Sequence, residues 1–169
     1  FDGSSGSQTG VISAPEIFID DVAVALNGDL LVSSYRGRDD LVRLSPQGEV
    51  LSKIEGAISE QSGDSELDMR VAVDGLDQIY ALGSFNEAVF KFTADGRYVN
   101  RFGSRGNAPG QFTSPAAIAI DQLGNVYIAD MLKILIFDSD GRFIDQFEVP
   151  GGAPSGLAFD QQNNLYVVA

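Results

Sequence analysis

The chain has 169 residues, 44% of them hydrophobic, with 19 glycines, 11 phenylalanines and a formal net charge of -13 from 24 acidic and 11 basic residues. This fits a packed, turn-rich core rather than a disordered tail, and the acidic surplus opposes non-specific attraction to phosphate backbones or anionic lipid. With no cysteine and no histidine, this stretch excludes a disulfide framework, a thiolate nucleophile, an imidazole-based dyad and a histidine zinc site.

The opening FDGSSGSQTG is polar, and no apolar run approaches the length of a membrane span. The sequence is expected to be a mature or excised piece. Residues 22–34, VAVALNGDLLVSS, then give the first of four similar units: an apolar strand, a polar turn and a second strand. The others are VAVDGLDQIYALG at 71–83, IAIDQLGNVYIAD at 118–130 and LAFDQQNNLYVVA at 157–169. Ala25, Asp74, Asp121 and Asp160 share the first-turn position, one in every 40 to 50 residues or so. A second signature follows the first three units: LVRLSPQG at 41–48, VFKFTADG at 89–96 and LIFDSDG at 135–141.

Within a period the apolar pieces are short and alternate, and glycine, asparagine and aspartate mark the reversals. Four strands per period follow; in the third module they fall near 116–120, 125–129, 133–137 and 143–147. No stretch carries a helical apolar stripe for three turns. The pairs Asn27-Gly28, Gly124-Asn125 and Asp95-Gly96 belong to tight hairpins. DSDG at 138–141 lacks the further oxygen ligands of a calcium loop, so it is read as a turn.

Four-stranded antiparallel meanders repeated at this period predict an all-β fold, a β-propeller. The chain carries about three and a half blades, with repeats near 14–56, 67–103, 115–149 and 154–169. Residues 1–13 are a polar N-terminal segment or the end of a preceding blade. The remaining blades are expected from a longer chain or, less simply, from another copy, because open blade flanks expose strand edges.

PAAIAIDQLGNVYIAD at 115–130, with FGSRGNAPGQFTSP at 102–115 before it, resembles an NHL repeat. The second module keeps the strands without the PGQF lead-in, and the first keeps mainly its strand pattern and SPQGEV turn. The resemblance implies a six-bladed domain. It extends to RNA-binding, protein-binding, bacterial sensor and a few lyase domains. Asp130 is followed by Met131-Leu132-Lys133 rather than the polar set common after the Ala-Asp pair of that family.

Successive connections in a meander fall at alternating ends. The short Asn-Gly and Asp-Gly turns therefore share one end, while the loops 34–40, 84–87 and 131–133 and the crossings 56–69 and 103–114 share the other. Varied loops on a rigid scaffold are the usual place of recognition. Tyr35, Arg36, Arg38, Phe85, Asn86, Met131 and Lys133 are the candidate ligand- or partner-binding residues. Arg36 and Arg38 could equally balance Asp39 and Asp40. Met131 and Leu132 could instead pack between blades, as Phe112, Phe90, Phe92, Phe137, Phe143 and Phe147 are expected to do.

Asp74 and Asp121 recur at a turn position and are assigned first to structure. Alternation of basic with acidic residues argues against nucleic acid. The expected function is a protein- or ligand-binding or sensor module without intrinsic catalysis, cofactor or metal, meeting a protein, peptide or glycan partner. A sensor role would place it in an extracellular or periplasmic setting. The alternative is a propeller enzyme, lyase-like or lactone hydrolase-like, with metal ligands on inner strands partly outside this segment; Asp20 and Asp21 are the inner-strand acids outside the repeat.

Overall fold

A computed structural model describes residues 4–8, 10–12, 17–34 and 39–169. Strands β1 Ile19–Val24, β2 Leu30–Ser34, β3 Asp40–Leu44 and β4 Val50–Ile54 form the first antiparallel sheet, in sequence order. A crossing with the one-turn helix α1 Ser59–Ser62 leads to β5 Met69–Val73, β6 Ile79–Gly83, β7 Ala88–Phe92 and β8 Tyr98–Phe102. The third sheet is β9 Pro115–Ile120, β10 Val126–Asp130, β11 Lys133–Phe137 and β12 Phe143–Glu148. β13 Gly156–Phe159 and β14 Leu165–Val168 pair as a two-stranded sheet. Each leading strand packs on the next, β1 on β5, β5 on β9 and β9 on β13. The four leading strands therefore line the axis of an all-β propeller, present as about three and a half of six blades.

One aspartate explains why the inner hairpins recur. The Asp121 amide donates to the Asn125 carbonyl, while its Oδ1 accepts from the amides of Leu123 and Asn125 at 2.9 and 2.8 Å. Its Oδ2 accepts from the Asn125 side chain and the Tyr127 hydroxyl. Asp74 does the same for Leu76, Gln78 and Tyr80, and Asp160 for Gln162, Asn164 and Tyr166. A short acceptor that organises its own turn is the ordinary reason for aspartate at such positions. Blade one has Ala25 in its place, and the Asn27 side chain accepts from the Asp29 amide instead.

Alternation along each strand sends side chains into both neighbouring blades. Met69 and Val71 of β5 join Leu31, Leu41, Phe90 and Phe92 in a core between blades one and two. Ala72, from the other face of β5, joins Tyr80, Phe102, Phe112, Ile128, Leu135 and Phe137 between blades two and three. Polar side chains also cross between blades. Arg43 bonds Asp77 at 2.6 Å, and the buried Lys91 ammonium donates to the Ser139 carbonyl at 2.6 Å.

Candidate functional site

At the long-loop end, buried carboxylates fix the connections. Asp39 Oδ2 accepts from the amides of Ile58 and Ser59 at 2.6 and 2.7 Å. Asp40 accepts from the Gly56 amide and pairs with Lys53. Glu66 receives the amides of Leu67, Asp68 and Asn86 and the Asn86 side chain. Asp130, 0% exposed, receives the amides of Thr113 and Ser114. Each buried charge is satisfied by several donors, which is what makes its burial tolerable. Asp39 and Asp40 are therefore structural acceptors; Arg36 and Arg38, which could balance them, lie outside the described residues.

Nearest the axis, the same end holds an ionic group on the innermost strands. Arg70 of β5 pairs with Asp68 at 2.8 Å and approaches Asp20 of β1 at 3.5 Å. Its Nε donates to the Ala116 carbonyl of β9 at 3.3 Å. One guanidinium thus touches three successive blades. Asp20 Oδ2 also accepts from the Met69 amide, and Asp21 Oδ2 from the Val71 amide, so β1 holds β5 through side chains. Arg70 and Asp68 remain partly open, with side chains 31% and 37% exposed. Sequence reasoning passed over Arg70 because it stands alone between apolar residues of a strand; the acid pair Asp20-Asp21 at the neighbouring strand's start was the available signal.

A second opening lies farther out on blade three. Asn107 and Thr113 of the crossing, Met131 and Leu132 of the β10–β11 loop, and Lys133 and Phe147 border a cleft of about 310 Å³. Met131 is 49% exposed and Leu132 58%, so these two are not packed between blades as one reading expected. Met131 also has φ +53°, a left-handed conformation uncommon for a residue with a long side chain. Phe147 is likewise 44% exposed and not core, whereas Phe90, Phe92, Phe112 and Phe137 are buried and Phe143 packs beside them.

The structure brings Met131 and Lys133 together in that cleft. Phe85 is exposed, on the β6–β7 loop, and Asn86 is engaged by Glu66; both lie on another blade. Tyr35, Arg36 and Arg38 fall outside the described residues.

Among the described residues no group of three or more histidine, cysteine, aspartate or glutamate side chains is placed to hold an ion. The turn aspartates have both oxygens occupied by their own hairpins, and Asp20 and Asp21 cap β5 amides. The Tyr80 phenol, which donates to Asp74, is pushed well above the ordinary tyrosine value by burial first and by the Asp74 charge second. It serves as a proton-bearing donor and not as a phenolate. No described helix is long and apolar enough to cross a membrane.

The family model DUF5128, a 6-bladed beta-propeller, matches residues 69–168, and the chain belongs to that family. No curated protein matches the chain. Among solved structures it is similar to a streptogramin B lyase, with 14% identity and a TM-score of 0.67 over 92% of this chain and 49% of that one. A gluconolactonase from Xanthomonas campestris has 18% identity and a TM-score of 0.68 over 94% of this chain and 57% of that one. The hydrazine synthase of Kuenenia stuttgartiensis has 12% identity and a TM-score of 0.66 over 96% of this chain and 45% of that one. The chain thus spans about half the length of the structures it resembles, and at these identities the likeness establishes the fold.

The comparisons correct one sequence expectation. A binding, scaffold or sensor module without catalysis was expected, yet these propellers are enzymes. The physical reason is that absence of histidine and cysteine was taken from roughly half a propeller. A reaction centre at the axis collects side chains from blades all round it.

Proposed function

We propose that this member of the six-bladed β-propeller family is part of a propeller enzyme of the lyase or lactone hydrolase type. Its reaction centre is assembled at the axis by the innermost strands of this segment and of blades beyond it. The observation that carries the reading is Arg70, held on a leading strand between Asp20, Asp68 and the Ala116 carbonyl while remaining partly open. The resemblance of residues 102–130 to an NHL repeat supports an NHL-like scaffold under that centre.

The chemistry follows from the guanidinium. It carries more N–H donors than its present contacts use. Donors fixed on a rigid strand suit an ester or lactone carbonyl, whose oxygen gains negative charge as the ester carbon is attacked. They equally suit the carboxylate that leaves when an ester is eliminated. Asp20 and Asp68 hold the guanidinium plane, so that its orientation is prepared before substrate arrives. The group that moves the proton is assigned to the blades outside this segment, which itself has no imidazole or thiol. A metal ion, if the complete propeller uses one, would draw ligands from there too, because Asp20, Asp21, Asp74 and Asp121 already accept hydrogen bonds within this segment.

The test is turnover by the full-length protein on two substrates, gluconolactone and a streptogramin B depsipeptide, followed by loss of ester or lactone absorbance and by product mass. Ring opening of either above the uncatalysed rate is expected. A folded, complete propeller inert toward both, and toward a panel of simple aryl esters and lactones, would refute the proposal.

A further inference from the structure

We infer that the cleft at the outer end of blade three binds a zwitterionic α-amino acid with an apolar, preferably aromatic, side chain, separately from the axial chemistry. Lys133 and Glu148 are direct cross-strand partners in the β11–β12 pair. Cβ atoms of such partners lie about 4.5–5.5 Å apart, and both side chains border the cleft. They make no ion pair with each other among the described residues. Lys133 instead has a single partner, Asp130, at the long distance of 3.9 Å. Asp130 is already supplied by the amides of Thr113 and Ser114, which leaves the ammonium's donors largely unused.

A cation and an anion side by side, each short of a close partner, match a ligand carrying one charge of each sign. The rest of the lining fixes the side chain. Met131, Leu132 and Phe147 present partly exposed apolar surface, and such surface in a concave site is what an apolar body covers. The cleft's volume of about 310 Å³ is at the small end of ligand pockets, in the range of one amino acid rather than a peptide. Gln146 and Asn107 add amide groups at the polar side.

Lys133, Gln146 and Glu148 share one face of blade three, while Phe147, paired with Ile134, reaches the cleft from the other face of β12. Lys133 alternates in register with Leu135 and Phe137, which pack toward blade two, and Gln146 and Glu148 pair opposite Leu135 and Lys133 on the same face. The crossing that carries Asn107 and Thr113 closes this side from within the chain. The cleft shares no residue with the Arg70 group, so either proposal can fail while the other stands.

Calorimetry on the full-length protein with L-phenylalanine as probe tests the inference. Binding is expected, at least tenfold tighter than that of L-phenylalaninamide, which lacks the carboxylate, and of 3-phenylpropanoate, which lacks the ammonium. Lys133→Gln should erase the preference over the amide, and Glu148→Gln the preference over the propanoate. Failure of L-phenylalanine to bind at millimolar concentration would overturn the inference. So would equal binding of all three probes, or retention of both preferences in the two folded variants.

Discussion

At Asp121, one carboxylate accepts from four donors of its own turn, as Asp160 does, and Asp74 accepts from three in the same way. Asp121→Ala strands the amides of Leu123 and Asn125 and is expected to cost about 1–3 kcal/mol in denaturant unfolding. Asp121→Asn, which keeps an acceptor, should cost less. The exposed turn acids predict a pH effect of definite sign. Asp160 is held below the ordinary carboxylate range mainly by the Asn164 side chain, and Asp138 mainly by the Arg142 amide. A depressed folded value means stabilisation that is fully present above the unfolded pKa, about 3.9, and lost as pH falls through the lower folded values. Urea midpoints of the full-length protein should therefore be flat from neutrality to about pH 5 and decline below about pH 4. Replacing Asp160 by alanine should shallow that decline. These aspartates were legible in the sequence because they recur at one turn position. Asp39, Glu66 and Asp130 were not, since Asp39 and Glu66 lie in connections and Asp130 at the end of β10, and these three share no recurring position that would betray their burial.

Between elements, the crossing into blade three shows what an aromatic wedge does. Phe112 is fully buried against Phe137, with ring centroids 5.7 Å apart and planes at 78°, and Phe102 joins the group. Gly103 and Gly141 have positive φ of 82° and 86°, and a Cβ on either would strike the Phe112 or Phe102 ring. Phe112→Ala should destabilise the full-length protein by about 3–5 kcal/mol, measured by the shift in denaturant midpoint. It should also loosen amide exchange first in the β8–β9 crossing. Gly141→Ala should be destabilising through both backbone and clash, by about 1–3 kcal/mol.

The third blade's strands were readable to within a residue or so at each end, because period-two alternation and turn residues act locally. Exposure of Met131, Leu132 and Phe147 was not readable. Apolar residues at a loop or an outermost strand are covered or bare according to what the neighbouring blade brings, which is information from distant sequence.

Across the whole molecule, leading strands that pack on one another around an axis make function a property of the ring rather than of any blade. The repeat made the propeller and its two unlike ends visible from residue spacing alone. The proposed chemistry was not readable there, because this chain spans about half the length of the enzymes it resembles and has no imidazole or thiol group of its own. What the segment brings to the axis is Arg70, oriented by Asp20 and Asp68 from two blades and by the Ala116 carbonyl from a third. The most direct measurement of the proposed ester or lactone chemistry is kcat/KM of the full-length protein on gluconolactone and the streptogramin B depsipeptide, compared among wild type, Arg70→Lys and Arg70→Gln, with unfolding midpoints taken in parallel. Loss of about a hundredfold or more in Arg70→Gln, with only partial recovery in Arg70→Lys and a midpoint close to wild type, is the expected result. Full activity in a folded Arg70→Gln protein would contradict the assignment of the reaction centre to this end of the axis.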